Sequence, residues 1–219
     1  MTRLASLLVA AVLALAAGPL WADDEAEARE RLRAFTEDLT SFSATFQQTL
    51  YDEDQYPLQE NRGSAKLKKP GKFRWEYTAP HEQLIVSNGQ RMWMYEADLD
   101  QVTVREFDAA LGRAPIALLS GDAPLDDEFE IEALGQREDL LWLQLEPKVQ
   151  DTDFRRIYLG FDDTSIKVME LRDRFDGATQ VVFDNVEVNP DLADDEFEFE
   201  PPEGADVIGE GVGDGDSDW

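Results

Sequence analysis

The residues that could do chemistry in this 219-residue chain are few, and their spacing fits no common catalytic site. There is no cysteine and a single histidine, His81, which excludes thiol catalysis, cysteine-ligated zinc and multi-histidine metal sites. No Gly-x-Ser-x-Gly motif is present to position a nucleophilic serine. His81 follows Pro80 at a predicted turn, with no serine beside it to activate. A secreted hydrolase would therefore lack its catalytic groups, and the sequence predicts a protein that is not an enzyme and uses no cofactor.

The charge balance limits the partners. The chain has 48 Asp and Glu against 20 Lys and Arg, a formal net charge of −28 at pH 7. Such acidity argues against nucleic acid or an anionic membrane surface as the main partner, because phosphates would be repelled. Hydrophobic residues at 42% are enough for one globular core. The acidity itself has two open explanations, adaptation to high external salt or a specific basic partner.

The N terminus has the pattern of a signal peptide over residues 1–22. Arg3 precedes an apolar run from Leu4 to Ala17, Gly18-Pro19 breaks the helix, and small Ala22 lies at the expected cleavage position. The alternative, an uncleaved membrane anchor, is disfavoured because about 14 apolar residues are fewer than the roughly 20 that span a bilayer. Residues 23–203 are expected to form one domain, and residues 204–219 an acidic, disordered tail.

Hydrophobic periodicity predicts one N-terminal helix followed by an antiparallel sheet. Leu32, Phe35 and Leu39 recur at helical spacing within 23–39, and from Ser41 the period changes to two. Asn88-Gly89 between two apolar runs is a strong hairpin signal. A second, short helix is predicted after Pro115. Further strands are predicted over 63–77 (two strands), 83–87, 91–95, 101–107, 129–134, 140–146, 154–161, 166–174 and 178–188, and Phe197 and Phe199 are compatible with a last strand.

Six cations without an intervening acid form a basic island in this acidic chain. They are Arg62, Lys66, Lys68, Lys69, Lys72 and Arg74. Lys66 and Lys68 alternate with apolar residues and are expected on an outward strand face, which is the ordinary explanation of such an island. Lys69 falls on the apolar parity, where an ammonium group is costly without acceptors. It is therefore expected to meet backbone carbonyls or a carboxylate on another element, either as a functional latch or as an ordinary buried-end lysine.

Apolar side chains occupy both parities of the central strands. Phe73, Trp75 and Tyr77 share one face of a strand, and the segments around Asn88-Gly89 are apolar on both faces. An ordinary β-sandwich or barrel core would explain this pattern. So would a curved sheet whose concave face is covered by the two helices and opens to an apolar ligand. Periodicity alone leaves both interpretations open.

A set of sequence blocks, in this order along the chain, resembles the LolA family of periplasmic outer-membrane lipoprotein carriers. The blocks cover essentially the whole predicted mature domain. They are Ser41–Gln48 (SFSATFQQ), Leu67–Tyr77 (LKKPGKFRWEY), Ile85–Gly89 (IVSNG), Met92–Tyr95 (MWMY), Pro115–Leu119 (PIALL), and Phe197–Phe199 followed by 201–204 (PPEG).

The resemblance implies a mostly β, α+β fold: an unclosed antiparallel β-barrel with an α-helical lid over an apolar concave face. It implies a periplasmic chaperone that receives triacylated lipoproteins from an inner-membrane ABC transporter complex and delivers them to an outer-membrane receptor lipoprotein. The absence of a cysteine for a lipid anchor fits the carrier rather than the receptor. A monomer is expected. The alternative is a lipoprotein-sensing interaction protein on the same scaffold, which typically carries a second domain.

The resemblance also assigns residues. Lys69 occupies the position of a basic residue, usually arginine, that latches the lid through hydrogen bonds. Phe73 corresponds to an aromatic residue needed for taking cargo from the transporter. Ile116 and Leu119 fall on the lid helix. The full set assigned to the acyl-chain cavity and to partner contact is Phe73, Trp75, Trp93, Phe46, Leu32, Phe35, Ile116 and Leu119.

Overall fold

The computed structural model describes residues 21–106, 117–120, 125–149, 152 and 154–209, and its main feature is one twelve-stranded sheet. The strands are β1 (Ser41–Tyr51), β2 (Pro57–Lys68), β3 (Lys72–Ala79), β4 (Gln83–Asn88), β5 (Arg91–Glu96), β6 (Gln101–Glu106), β7 (Phe129–Arg137), β8 (Leu140–Pro147), β9 (Phe154–Phe161), β10 (Ile166–Asp173), β11 (Ala178–Val188) and β12 (Asp206–Gly209). Their order across the sheet is β12-β6-β5-β4-β3-β2-β1-β11-β10-β9-β8-β7. β7 and β12 are thus its two edges, and the predicted unclosed sheet is confirmed.

The helices of the described residues are short apart from the first. α1 spans Trp21–Asp38, α2 spans Ala117–Ser120 and α3 spans Leu125–Glu128. Two 3₁₀ turns cover Ala97–Leu99 and Asp194–Phe197. The predicted N-terminal helix and the short helix after Pro115 are both present. Within the described part of the chain, no helix combines the length and hydropathy needed to cross a membrane.

One face of the sheet curls around a single apolar core, so we call it the concave face. Period-two alternation places Phe42, Ala44 and Phe46 of β1 on this face, all buried. Across the sheet, Ala44 pairs with Ala65 of β2, which in turn pairs with Trp75 of β3. Buried residues from β7–β11 join the same cluster, together with helical residues that include Leu32 and Leu119. The core therefore lies between the concave face and the helices, which is one of the two interpretations that the patterning left open.

The opposite, convex face is crossed by residues 190–205, which we call the C-terminal strap. Asp194 accepts from Lys68 at 2.8 Å and from Lys72 at 3.0 Å, and Glu196 pairs with Lys66. These hydrogen bonds lower the pKa of both carboxyl groups. Phe197, which belongs to the strap, is fully buried. The outward direction predicted for Lys66 and Lys68 is confirmed. Together with Lys72, these two lysines of the basic island bind the acidic strap.

Two expectations about the C-terminal residues are wrong. Phe197 ends a 3₁₀ turn, not a strand, because the turn that buries its ring also directs Asp194 and Glu196 to the lysines. The disordered tail was expected from Gly204, but Asp206–Gly209 form β12, which pairs in parallel with Gln101–Val104 of β6. Unpaired amides at an open sheet edge favour such an added strand, an effect that composition does not reveal.

Several expectations lie outside the described residues. They are the signal peptide up to residue 20, the position of Ile116, and the tail from residue 210. They stay predictions.

The edge pairing of β12 predicts different effects for two truncations. Ending the chain after Ala205 removes backbone hydrogen bonds worth about 1 kcal/mol each, and 1 kcal/mol corresponds to roughly 2–4 °C for a chain of this size. We expect the melting temperature, followed by circular dichroism, to fall by about 4 °C or more. Ending the chain after Gly209 keeps β12 and should leave the melting temperature within about 1 °C. Equal melting temperatures for the two truncated proteins would contradict this role of β12.

The strap also predicts a pH dependence. Because the folded pKa values of Asp194 and Glu196 are lowered, their stabilisation is present above the unfolded values near 4 and is lost as pH falls through the folded values. We expect an Asp194→Asn/Glu196→Gln variant to unfold at lower urea concentration than wild type at pH 6, with the difference shrinking toward pH 2. Glu53→Gln/Asp54→Asn, two exposed carboxyls in the β1–β2 turn, is the matched control. A difference that is constant with pH would rule out this contribution.

Candidate functional site

An aromatic cluster occupies the middle of the concave face. The ring of Phe46 stacks on Trp75 with centroids 3.9 Å apart, and Tyr77 meets Phe46 edge-on at 5.5 Å. Gly63 makes room for the stack, because a Cβ there would lie 2.7 Å from the Phe46 ring and 1.9 Å from the Glu76 carbonyl oxygen. Burial raises the pKa of the Tyr77 phenol, so that it remains a neutral hydroxyl. The cluster offers a rigid apolar surface of the kind that acyl chains could contact.

Helical side chains cover this surface. Leu32 of α1 and Leu119 of α2 are almost completely buried in the same cluster. Phe35 of α1 packs edge-on against Phe161 of β9, with ring centroids 5.3 Å apart. The helices therefore exclude water from the concave face in this structure. Moving them would expose a continuous apolar surface.

The turn between β2 and β3 holds both helices. The Lys69 ammonium donates to the Thr36 carbonyl of α1 at 2.7 Å, and the Gly71 amide donates to the Ser120 carbonyl of α2 at 2.9 Å. Beneath the turn, the buried hydroxyl of Ser87 donates to the Gly71 carbonyl at 2.9 Å. Of the two kinds of acceptor predicted for Lys69, backbone carbonyls or a carboxylate, the structure shows a backbone carbonyl. The turn fixes the helices through a small number of polar groups.

Polar contacts at the surface also join α1 to the rest of the chain. Arg31 lies 3.1 Å from Asp163, and Arg33 lies 3.4 Å from Asp126. Arg29 donates to the Ile131 carbonyl and lies 3.9 Å from Asp126. Exposed pairs of this kind contribute about 0–1 kcal/mol each. They guide α1 onto the sheet while leaving it easy to displace.

A groove of about 570 Å³ runs between α1, Lys69 and the start of β7. Its lining combines apolar Leu32, Leu125 and Ile131 with the charged groups of Arg29 and Asp126. Core residues of the concave face therefore border solvent beside the helix. The groove is the place at which the concave core would open along its edge as α1 moves.

Asn189 fixes the C-terminal end of α1, a role that the sequence analysis missed. Its amide group donates to the Asp38 carbonyl at 3.0 Å and accepts from the Thr40 amide at 2.8 Å. It caps the helix and joins it to the end of β11. The Asn189-Pro190 dipeptide at the end of a predicted strand is a turn signal that could have drawn attention to this position. The cap makes this end of α1 the natural pivot for any movement of the helix.

Comparison with known proteins decides the family. The family model described as outer membrane lipoprotein carrier protein LolA matches residues 37–200. The chain belongs to the LolA family. A relative from Nitrosomonas europaea, named outer-membrane lipoprotein carrier protein, is 42% identical over 209 residues, covering 95% of this chain and 99% of the relative. A relative of the same name from Chromohalobacter salexigens is 40% identical over 207 residues, covering 94% and 97%.

A solved structure shows the same fold at low identity. An uncharacterized conserved protein from Thermus thermophilus superposes with a TM-score of 0.56 at 13% sequence identity. The match covers 84% of this chain and 99% of the other. At this identity the similarity supports the fold alone.

Most of the residues expected from the LolA family come together. Phe46, Phe73, Trp75, Leu32 and Leu119 are buried in one cluster, with Phe35 packed against it. Phe73 is completely buried, so it lies beneath the helices and not at an open mouth. Ile116 is outside the described residues.

Trp93 lies apart from this set. It pairs with Val86 and Val104 on the convex face, where its ring approaches Phe199 of the strap at 6.5 Å. Its assignment to the concave cavity is therefore corrected. Period-two patterning separates the two faces of the hairpin, but it does not say which apolar face the strap will cover.

The hydrogen bond from Lys69 predicts a local effect on α1. Replacing Lys69 by Met removes a charge-assisted bond worth about 1.5–3 kcal/mol. We expect backbone amides near Thr36 to exchange with deuterium roughly ten- to a hundredfold faster, measured by hydrogen-exchange mass spectrometry, with β8–β9 peptides unchanged. Lys69→Arg keeps a donor and should retain most of the protection. Unchanged exchange in Lys69→Met would show that this bond does not hold the helix.

Proposed function

We propose that this protein carries acylated lipoproteins across the periplasm, with the acyl chains held on the concave face. The observation that carries the proposal is a continuous apolar surface under a helical cover whose rim is held by polar contacts. The relatives matched over nearly their whole length are named lipoprotein carriers, which supports the same role here.

The cost of exposing apolar surface to water explains why a carrier needs such a cover. Transferring an acyl chain to water costs about 0.8 kcal/mol per CH₂, so a sixteen-carbon chain costs on the order of 10 kcal/mol. A multiply acylated anchor therefore does not cross an aqueous compartment unaided. An empty carrier faces the complementary difficulty, because a large exposed apolar patch promotes aggregation. A helix that covers the surface when empty and moves aside when loaded meets both requirements.

The contacts of α1 are suited to this exchange. Polar groups released at the rim can bond to water at little net cost, since a typical hydrogen bond contributes only about 1 kcal/mol to stability. The apolar side chains of α1, such as Leu32, would be replaced on the sheet by the acyl chains themselves. Loading thus exchanges one apolar cover for another.

The proposed route has two partners. An inner-membrane ABC transporter complex supplies the energy to lift the lipoprotein from the bilayer, and an outer-membrane receptor lipoprotein takes it over. Delivery then needs only a receptor that binds the acyl chains more strongly than this carrier does. The carrier itself needs no cofactor and no catalytic step.

The two alternative functions gain no specific support. For a hydrolase, His81 contacts Asp98 at 2.9 Å on an exposed turn, but neither contacts a serine hydroxyl among the described residues. A lipoprotein-sensing interaction protein would be expected to match relatives of that kind over their length. The relatives matched here over 97–99% of their length are instead named carriers.

A transfer assay tests the function and the latch together. The purified protein is incubated with ATP and inner-membrane vesicles that contain the transporter complex, and lipoprotein released into the soluble fraction is measured. We expect wild type to release it as a soluble complex and to pass it to receptor-bearing outer membranes. Release that does not exceed a buffer control would overturn the proposed function.

In the same assay, Lys69→Leu should load normally but hand over its cargo more slowly. The loss of a charge-assisted bond favours the open, loaded state by roughly ten- to a hundredfold, and leucine adds an apolar contact. Lys69→Arg should behave like wild type. Arg62→Leu, which removes an exposed cation of the same basic island, is the matched control. Equal hand-over rates in Lys69→Leu and wild type would exclude the latch.

A further inference from the structure

At one end of the sheet, the side chains on the concave face change from apolar to polar. Along β1, buried Phe42, Ala44 and Phe46 are followed two residues later by Gln48 on the same face. Gln48 pairs across the sheet with Asn61 of β2, which has the parity of Ala65 and Leu67. The change from apolar to polar therefore occurs at paired positions on neighbouring strands. A space of about 480 Å³ opens here, which we call the polar-end pocket. Its lining includes Gln48, Asn61, Tyr77, Glu82, Glu96 and Asp98.

Three polar side chains in the wall of this pocket are more than nine-tenths buried. Gln48, Asn61 and Tyr77 expose 6%, 8% and 9% of their surface. The Tyr77 hydroxyl donates to Gln48 Oε1 at 2.9 Å, and Gln59 Nε2 donates to Asn61 Oδ1 at 2.7 Å. These bonds occupy the acceptor oxygens of both amides. Among the described residues, the Nε2 group of Gln48 and the Nδ2 group of Asn61 have no acceptor.

The nitrogen atoms of these two amides reach solvent in the pocket, since among the described residues the buried side-chain polar atom without a partner is Trp75 Nε1. Both N–H groups are therefore available to the oxygen acceptors of a ligand that binds beside them. Tyr77 joins the aromatic cluster to this pocket, because its ring lies 5.5 Å from that of Phe46 and its hydroxyl donates to Gln48 at 2.9 Å. A ligand whose chains lie on Phe46 and Trp75 would therefore place its head at the amides.

The rim of the pocket is negatively charged. Glu82, Glu96 and Asp98 line it, and the one histidine, His81, contacts Asp98 at 2.9 Å. Carboxylates accept hydrogen bonds from N–H groups and attract cations, whereas they repel carboxylate and phosphate groups. The pocket thus combines inner donors for carbonyl oxygens with outer acceptors for amide hydrogens.

We propose that the polar-end pocket binds the polar head of the acylated cargo: the carbonyl oxygens at the base of the acyl chains and the first peptide amides. The acidic rim selects against amphiphiles that share the acyl chains but carry an anionic head, such as fatty acids and anionic phospholipids. This inference rests on the proposed carrier function and adds to it a determinant of cargo choice. A membrane holds many more phospholipids than lipoproteins, so a carrier that recognised acyl chains alone would fill with lipid.

The test measures binding of two probes to the full mature chain: a synthetic triacylated lipopeptide with an uncharged peptide head, and a fluorescent sixteen-carbon fatty acid. We expect Asn61→Leu and Gln48→Met to weaken lipopeptide binding by about five- to tenfold, the effect of one lost hydrogen bond, and to leave fatty-acid binding unchanged. Glu82→Gln/Glu96→Gln should strengthen fatty-acid binding by a similar factor. Gln136→Leu, an exposed residue on β7, is the control for a polar-to-apolar change.

The outcomes separate this inference from the proposed function. One outcome is that wild type binds both probes while the variants leave the preference between them unchanged. In that case the pocket does not recognise the polar head, and the inference is overturned while the carrier function stands. If wild type binds neither probe, the carrier function fails, and the inference fails with it. Should Asn61→Leu or Gln48→Met fold poorly, the rim variant decides, because Glu82 and Glu96 lie outside the buried core. Fatty-acid binding unaffected by the rim variant would overturn the selection against anionic heads.

Discussion

An apolar sheet face that must be dry when empty and available when needed constrains everything else in this protein. Burial of apolar surface contributes about 25 cal/mol per Å², so the concave face can be neither left open nor sealed by an equally apolar, permanent layer. The structure answers with α1, which supplies side chains such as Leu32 to the core and is attached at its edges by polar groups. The cover is thus apolar where it touches the sheet and polar where it is fastened.

Different interactions hold the segments that cover the two faces of the sheet. On the convex face, the strap is fixed by acid–lysine pairs over the basic island and by its own buried Phe197. On the concave face, ion pairs are confined to the margin of α1. The turn at Lys69–Gly71 lies where the two coverings meet, since Lys68 and Lys72 hold the strap while Lys69 and Gly71 hold the helices. A single lysine-rich turn therefore contacts both covers, the strap on one face and the helices on the other.

Much of this architecture could be predicted from local patterns. Period-two alternation predicted the face of Phe42–Phe46, and Asn88-Gly89 predicted the hairpin. Strand parity predicted that Lys69 points inward to backbone carbonyls or a carboxylate, and the structure shows a carbonyl. The failures share one cause, which is long-range pairing. The placement of Trp93 depends on a strap more than 90 residues away, and β12 forms because β6 offers a free edge. Neither the placement of Trp93 nor the formation of β12 can be predicted from the local sequence of its own segment. The amides of the polar-end pocket also escaped notice, because Gln48 and Asn61 become neighbours only through the register of β1 and β2.

The central claim is that α1 moves away from the concave face when acyl chains occupy it. Because the chain has no native cysteine, spin labels can be placed at Glu30→Cys on α1 and Glu187→Cys on β11, both exposed. The distance between the labels is then measured by double electron–electron resonance, with and without a triacylated lipopeptide. The account predicts a single short distance in the empty protein and a distribution several ångströms longer in the loaded one. An unchanged distance at full occupancy of the lipopeptide would contradict it.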